Sequence, residues 1–197
     1  QFIGTLSHQG RMHPDVAQFA SQHFYGSWLT PVPLAHQQEA NLNYDLPAQD
    51  ALDTTLQQHR TLFFEGDTEM VIALAQRIRR FYGEQFDPQK TLGIIVTYRK
   101  QITAIRAAVP DVSIDTVERY QGSQREVIIY AVGVDRHYQM DFLTASTFID
   151  DEGQMVDRKL NVALTRARCQ MLMVGCAEIL RQNPLYRQFI DNFAVRM

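Results

Sequence analysis

Apolar residues along this chain follow two periods in turn. Short runs apolar at nearly every position read as strands buried on both faces: Arg60 to Glu65, Leu92 to Thr97, Val112 to Val117, Val127 to Val134 and Cys169 to Gly175. Between them, apolar positions recur every three or four residues. Pro14 to Tyr25 predicts a helix with Val16, Phe19, Ala20 and Phe24 on one side, opened by its proline. Asp67 or Thr68 caps a second helix, whose Val71, Leu74, Ala75, Ile78, Phe81 and Tyr82 fit the helical period and which Gly83 ends. A third runs from Arg99 to Val109 and stops at Pro110, and two short ones cover Ala177–Gln182 and Leu185–Phe193.

The pattern lapses twice. Residues 27–58 hold three prolines, five glutamines and few periodic apolar residues, and are read as an irregular surface connection or insertion. Residues 136–157 read as a loop or hairpin insertion, with Asp150-Asp151-Glu152-Gly153 as its tight turn. Strands apolar on both faces, alternating with helices, give an α/β fold: a mostly parallel sheet between helical layers.

At 197 residues the chain suits one domain, and 45% hydrophobic residues are enough for a core. A net charge of −3, from 19 basic and 22 acidic residues, creates no global field for a polyanion, so any such site is local. Basic clusters stand at Arg77-Arg79-Arg80, Arg99-Lys100-Arg106 and Arg158-Lys159-Arg166-Arg168; the first reads best as a solvated helix end. Cys169 and Cys176 lie at the two ends of one strand, about 23 Å apart and beyond disulfide reach. Reduced, buried thiols suit an intracellular protein, cytoplasmic if bacterial. The histidines form no metal-ligand pattern, His13 reads as packing against Pro14, and no apolar run approaches the ~18 residues of a membrane span.

The most informative text is Asp157 to Arg168, running straight into the Cys169 strand. Leu160, Ala163, Leu164 and Ala167 fall at i, i+3, i+4 and i+7, so a helix with one apolar face is expected, closed by Arg166 and Arg168. Two positions on a helix differ by about 200°, so the two arginines should serve different ends. Asn161 and Thr165 share the Arg168 face. A guanidinium held beside a parallel strand is a means of reaching a phosphate.

Three further segments join it: Leu6-Ser7-His8-Gln9-Gly10-Arg11-Met12-His13-Pro14, Gly93-Ile94-Ile95-Val96-Thr97-Tyr98, and Ile114-Asp115-Thr116-Val117-Glu118-Arg119-Tyr120-Gln121-Gly122-Ser123-Gln124. In this order they resemble the second, C-terminal motor domain of superfamily 1 helicases. The branch is that of senataxin, the nonsense-mediated-decay RNA helicase and the DNA replication helicase-nucleases. The resemblance runs from about Leu6 to Leu180 and implies a three-layer RecA-like domain of the P-loop NTPase type.

It also implies roles. Arg11 and Arg166 match the family's two arginines that reach the γ-phosphate of ATP. Arg168 is left to brace the domain or bind a carboxylate. Gln121, Gly122 and Gln124 match the nucleotide-contacting motif, with Gln121-Gly122 as a hinge between nucleotide and nucleic acid. Thr97, Tyr98 and Thr116 match positions on single-stranded DNA or RNA. Two positions depart from the family. Gln124 stands where many relatives have a ribose-binding glutamate, with Glu126 two residues on, and Gly10 stands where most have an adenine-stacking tyrosine.

The chain has no Gly-x-x-x-x-Gly-Lys-Ser/Thr loop and no Asp-Glu pair ending an apolar strand. In the family these hold ATP and Mg2+ from the first motor domain, expected upstream of residue 1. The chain is therefore expected to be half of a motor, inactive alone. The alternative is a module of the same fold that binds nucleic acid or assembles without turnover.

Overall fold

The computed structural model describes residues 7–27, 29–120 and 123–195. In chain order its elements are β1 (His8–Gln9), α1 (Pro14–Phe24), β2 (Thr30–Pro31), α2 (Ala35–Gln38), α3 (Ala51–Gln58), β3 (Thr61–Glu65), α4 (Thr68–Tyr82), β4 (Leu92–Val96) and α5 (Lys100–Ala108). There follow β5 (Ser113–Thr116), β6 (Arg125–Ala131), α6 (Gln139–Leu143), β7 (Thr147–Ile149), β8 (Met155–Asp157), α7 (Arg158–Leu164), β9 (Ala167–Gly175), α8 (Ala177–Leu180) and α9 (Pro184–Phe193). The main sheet has the order β3-β9-β6-β4-β5, and all its pairings are parallel.

Strand pleating sorts the core into two halves. Phe63, Ile95, Ile128, Tyr130, Met171 and Met173 face one way and pack with α1, α7, α8 and α9. Leu62, Phe64, Ile94, Val96, Ile129, Leu172 and Val174 face the other way and pack with α3, α4 and α5. The result is the three-layer RecA-like α/β arrangement that the resemblance implied.

Local chemistry sets the boundaries that matter for the site. Asp67 caps α4 by accepting from the Glu69 amide at 3.0 Å, and Gly83 ends that helix at φ 51°. In β4, a Cβ on Gly93 would collide with the Tyr120 hydroxyl, so only glycine lets this ring cross the strand. That hydroxyl donates to Ser113 Oγ at 3.2 Å and anchors the connection from β5 to β6.

Three expectations change. Residues 27–58 are not wholly irregular: they carry β2, α2 and the eight-residue α3. The helix expected to run through Arg168 ends at Leu164, with Arg166 at the junction and Arg168 already in β9. Ala167 fits the helical period, yet it is buried as the first residue of a strand. The 136–157 segment folds as α6 and the antiparallel β7–β8 hairpin, turning at Gly153 with φ 79°. Cys169 is buried, but Cys176 is only half-buried. No helix among the described residues is long and apolar enough to cross a membrane.

Candidate functional site

Helix α7 is built to hold Arg166. The buried Asp157 caps it by accepting from the Leu160 amide at 3.0 Å, while Leu160, Ala163 and Leu164 lie in the core. Each buried leucine contributes about 2 kcal/mol. At the other end the Thr165 hydroxyl donates to the Asn161 carbonyl at 2.8 Å, and the Arg166 carbonyl accepts from the Arg125 amide at 3.1 Å. The Arg166 backbone is thus fixed between a helix end and the start of the β6–β9 ladder.

Its side chain donates from Nε to the Val162 carbonyl at 3.2 Å and from Nη1 to the Ser123 carbonyl at 3.5 Å. Arg11, far away in sequence, reaches the same spot. It donates from Nε to Gln124 Oε1 at 3.1 Å and from Nη1 to the Thr165 carbonyl at 3.2 Å. Among the described residues no carboxylate pairs with either arginine, and no hydrogen bond engages Nη2 of either. Burial, and then the charge of Arg11, pull the Arg166 guanidinium below its ordinary pKa. Two cations held together without a counter-charge make a site that an anion would relieve.

Arg168 belongs to a different constellation. It pairs with Glu126, which also accepts from the Cys169 thiol at 3.0 Å, and its Nη2 meets His36 Nδ1 at 3.3 Å. The two arginines do have separate partners, but through the break between helix and strand rather than through opposite helical faces.

Thr97, Tyr98 and Thr116 come together at the carboxyl ends of β4 and β5. With Arg99, Glu118, Arg119 and Phe142 they line an open groove of about 430 Å³. The Phe142 ring, 50% exposed, stacks on Tyr98 at 5.4 Å, and Lys159 Nζ lies 4.0 Å above it. Lys159 also offsets Glu118, at 3.5 Å.

The arginine site and this groove lie on different edges of the sheet. Arg166 precedes β9 and Gln124 precedes β6, so the arginines stand at the amino ends of the strands, opposite the groove. Residues 117–124 link the two. Gln121 and Gly122, assigned to nucleotide and hinge, lie outside the described residues. Gln124 is exposed and serves Arg11. Position 10 leaves little free space on one side, since a Cβ on Gly10 would stand 3.2 Å from Leu34 Cδ1.

A family model described as an AAA domain, AAA_12, matches residues 1–178. This chain belongs to that family of AAA domains. A probable helicase of Dictyostelium discoideum is 29% identical over 95% of this chain and 19% of its own length. Helicase sen1 of Schizosaccharomyces pombe is 27% identical over 95% of this chain and 11% of its own length. The putative helicase MOV-10 of Gallus gallus is 29% identical over 66% of this chain and 15% of its own length. The AAA domain is thus a superfamily 1 helicase motor domain of the Sen1 kind, and it spans less than a fifth of the length of these relatives.

Several residues of this AAA domain support the site in ways that the sequence did not signal. Gln9 turns back on its own loop, its Oε1 accepting from the Met12 amide at 2.7 Å and the Arg11 amide at 3.1 Å. The buried His13 caps α1, its Nδ1 accepting from the Asp15 amide at 3.2 Å while Nε2 donates to the Glu39 carbonyl at 3.0 Å. Burial, followed by the charge of Arg60, lowers its pKa, which keeps the cap neutral. Its observed role is to cap α1. Phe142 was hidden because an exposed phenylalanine in an insertion has no period to betray it.

Proposed function

We propose that this AAA domain is the second motor domain of an ATP-dependent DNA or RNA helicase or translocase. In this reading Arg11 and Arg166 reach the γ-phosphate of ATP bound against a first motor domain elsewhere in the same protein. One observation carries it: two guanidiniums from distant segments share a spot, and among the described residues neither meets a carboxylate and each keeps an uncommitted Nη2. A triphosphate supplies the missing negative charge, and planar donors suit its oxygens. The much greater length of the related helicases is in keeping with a partner domain in the same chain. Magnesium, held by that first domain, would neutralise charge between the β- and γ-phosphates.

Within this chain, Arg11 and Arg166 stabilise charge on the transferring group, and the exposed Gln124 amide beside Arg11 hydrogen-bonds a sugar hydroxyl in this reading. Gln121 and Gly122 keep the nucleotide-contacting and hinge roles given by the resemblance. On the opposite edge, Thr97, Tyr98 and Thr116 contact the sugar–phosphate backbone of a single strand, with Arg99 and Arg119 for charge and Phe142 at the rim. Closure around ATP would be carried to that groove through residues 117–124. Free Cys169 and Cys176 agree with an intracellular setting, cytoplasmic in a bacterium.

The test is turnover. The isolated 197-residue chain is expected to hydrolyse no ATP above background, with or without nucleic acid, because its sequence has no phosphate-loop motif. Hydrolysis by this chain alone, stimulated by single-stranded DNA or RNA, would overturn the two-domain reading. An intact protein that binds nucleic acid yet never turns over ATP would instead be the assembly module.

The groove has its own test in the intact protein. Thr97→Ala and Thr116→Ala should weaken single-strand binding by similar factors for unrelated sequences, since backbone contacts carry no base information. Fluorescence anisotropy on several oligonucleotides reads this directly. A variant that altered sequence preference at unchanged affinity would contradict the assignment.

A further inference from the structure

The loop carrying Arg11 is held by a segment that the proposed chemistry does not use. His36 Nε2 lies 2.8 Å from the Arg11 carbonyl. A carbonyl only accepts, so Nε2 carries the proton; Nδ1 is then free to accept from Arg168 Nη2 at 3.3 Å. The neighbouring Gln37 is buried and donates to the Gln9 and Met12 carbonyls, each at 2.9 Å. The Gln9 side chain holds the Arg11 amide from the other side. Both backbone polar groups of Arg11 are therefore engaged, and only its side chain keeps freedom.

The same bridge ties this loop to the strand that begins beside Arg166. The His13 amide donates to the Arg168 carbonyl at 2.7 Å, and the Arg168 side chain, fixed by Glu126, holds the far side of the His36 ring. Arg11 and Arg166 are thus registered against each other through position 168 by one backbone bond and one imidazole. Nothing in the core requires a histidine at position 36, which is half-buried on the four-residue α2. Its two ring nitrogens are instead spent on the Arg11 loop and on Arg168.

We propose that α2 is a positioning arm for the arginine pair, and that His36 is its positioning residue, setting Arg11 at the distance from Arg166 that the nucleotide requires. The proposal rests on the reading of Arg11 as a phosphate-reaching group. It gives a purpose to part of the 27–58 segment. Displacing a reacting group by about 1 Å can cost up to about 100-fold in rate, so loss of the His36 bond should be visible in turnover long before it is visible in folding.

The experiment uses the intact protein and two variants. His36→Leu removes both hydrogen bonds at similar bulk; His36→Gln keeps an amide that can donate to the Arg11 carbonyl and accept from Arg168. His36→Leu is expected to lower kcat roughly 10-fold or more, leave KM for ATP within about twofold, and barely move Tm. His36→Gln should recover most of the loss. In an Arg11→Ala background, His36→Leu should add little, because the residue acts through Arg11. Normal turnover in His36→Leu would overturn the proposal, as would a loss of equal factor with and without Arg11, or no recovery with glutamine. If Arg11→Ala itself turns over normally, the reading beneath fails. If Arg11→Ala is slow while His36→Leu is normal, only the arm is lost.

Discussion

Arg166→Ala in the intact protein is expected to cut ATP turnover by at least ~100-fold while weakening ATP binding far less. The reason lies in when the interaction is made. Arg166 spends Nε and Nη1 on the Val162 and Ser123 carbonyls, which hold the fork still, and keeps Nη2 unengaged among the described residues. A preorganised donor gains most when charge develops on the transferring group, so its loss appears in kcat rather than in ground-state affinity. Arg166→Lys should not restore activity, because an ammonium can neither hold both carbonyls nor present a planar donor at once. Arg11→Ala should behave similarly. Arg168→Ala should lower stability, since it strips Glu126 of its partner in a half-buried place, and slow turnover no more than His36→Leu does, since His36 keeps its bond to the Arg11 carbonyl. Steady-state hydrolysis, nucleotide affinity and melting temperature on the three alanine variants decide the matter. Normal hydrolysis in Arg166→Ala together with slow hydrolysis in Arg168→Ala would mean that the roles at this helix–strand junction are exchanged.

The fold was legible wherever burial on two faces left a run of apolar residues. Ile94, Ile95 and Val96 of β4 supply both core halves, and no helical period imitates that. The α7–β9 junction was harder. Ala167 lies seven residues after Leu160 and is apolar in either structure, so the pattern carried the helix four residues too far, through Arg168. Helix α3 was invisible for another reason. It buries Leu56 and the side chain of Asp53, and a helix docked by a carboxylate has no apolar stripe to read. At the candidate site, Arg11 and Arg166 were found through their motifs. His36 and Gln37 were not, because residues that act on a neighbouring backbone can come from any passing segment.

Asp53 carries the largest expected loss of stability. Its carboxylate is fully buried and pairs with Arg77 at 2.5 Å and with Arg80, while also accepting from the Gln49 amide at 2.9 Å. The basic cluster read from sequence as a solvated helix end is thus largely consumed within the fold, with Arg79 taken by Asp111. Asp53→Ala leaves two guanidiniums of α4 without their shared acceptor, while the buried Leu56 and the Gln170 bonds to the Leu56 and His59 carbonyls still hold α3 on the sheet. Removing one partner of a fully buried pair costs about 3–5 kcal/mol, but Arg77 and Arg80 are 25% and 34% exposed and can turn to water, so about 2–3 kcal/mol is expected. Asp50 softens the loss by keeping one contact to Arg77 at 2.8 Å. Arg79→Ala, which breaks a more exposed pair, should cost under about 1 kcal/mol and serves as the control. Urea unfolding of both variants at constant m reads the difference. Because α3 and α4 cover the face of the sheet away from α1 and α7, turnover of Asp53→Ala below its melting transition should match that of the parent. Equal stability losses in the two variants would show that Asp53 is an ordinary surface partner. Slowed turnover in folded Asp53→Ala would show instead that the 27–58 segment works as one piece, its grip on α4 felt at Arg11.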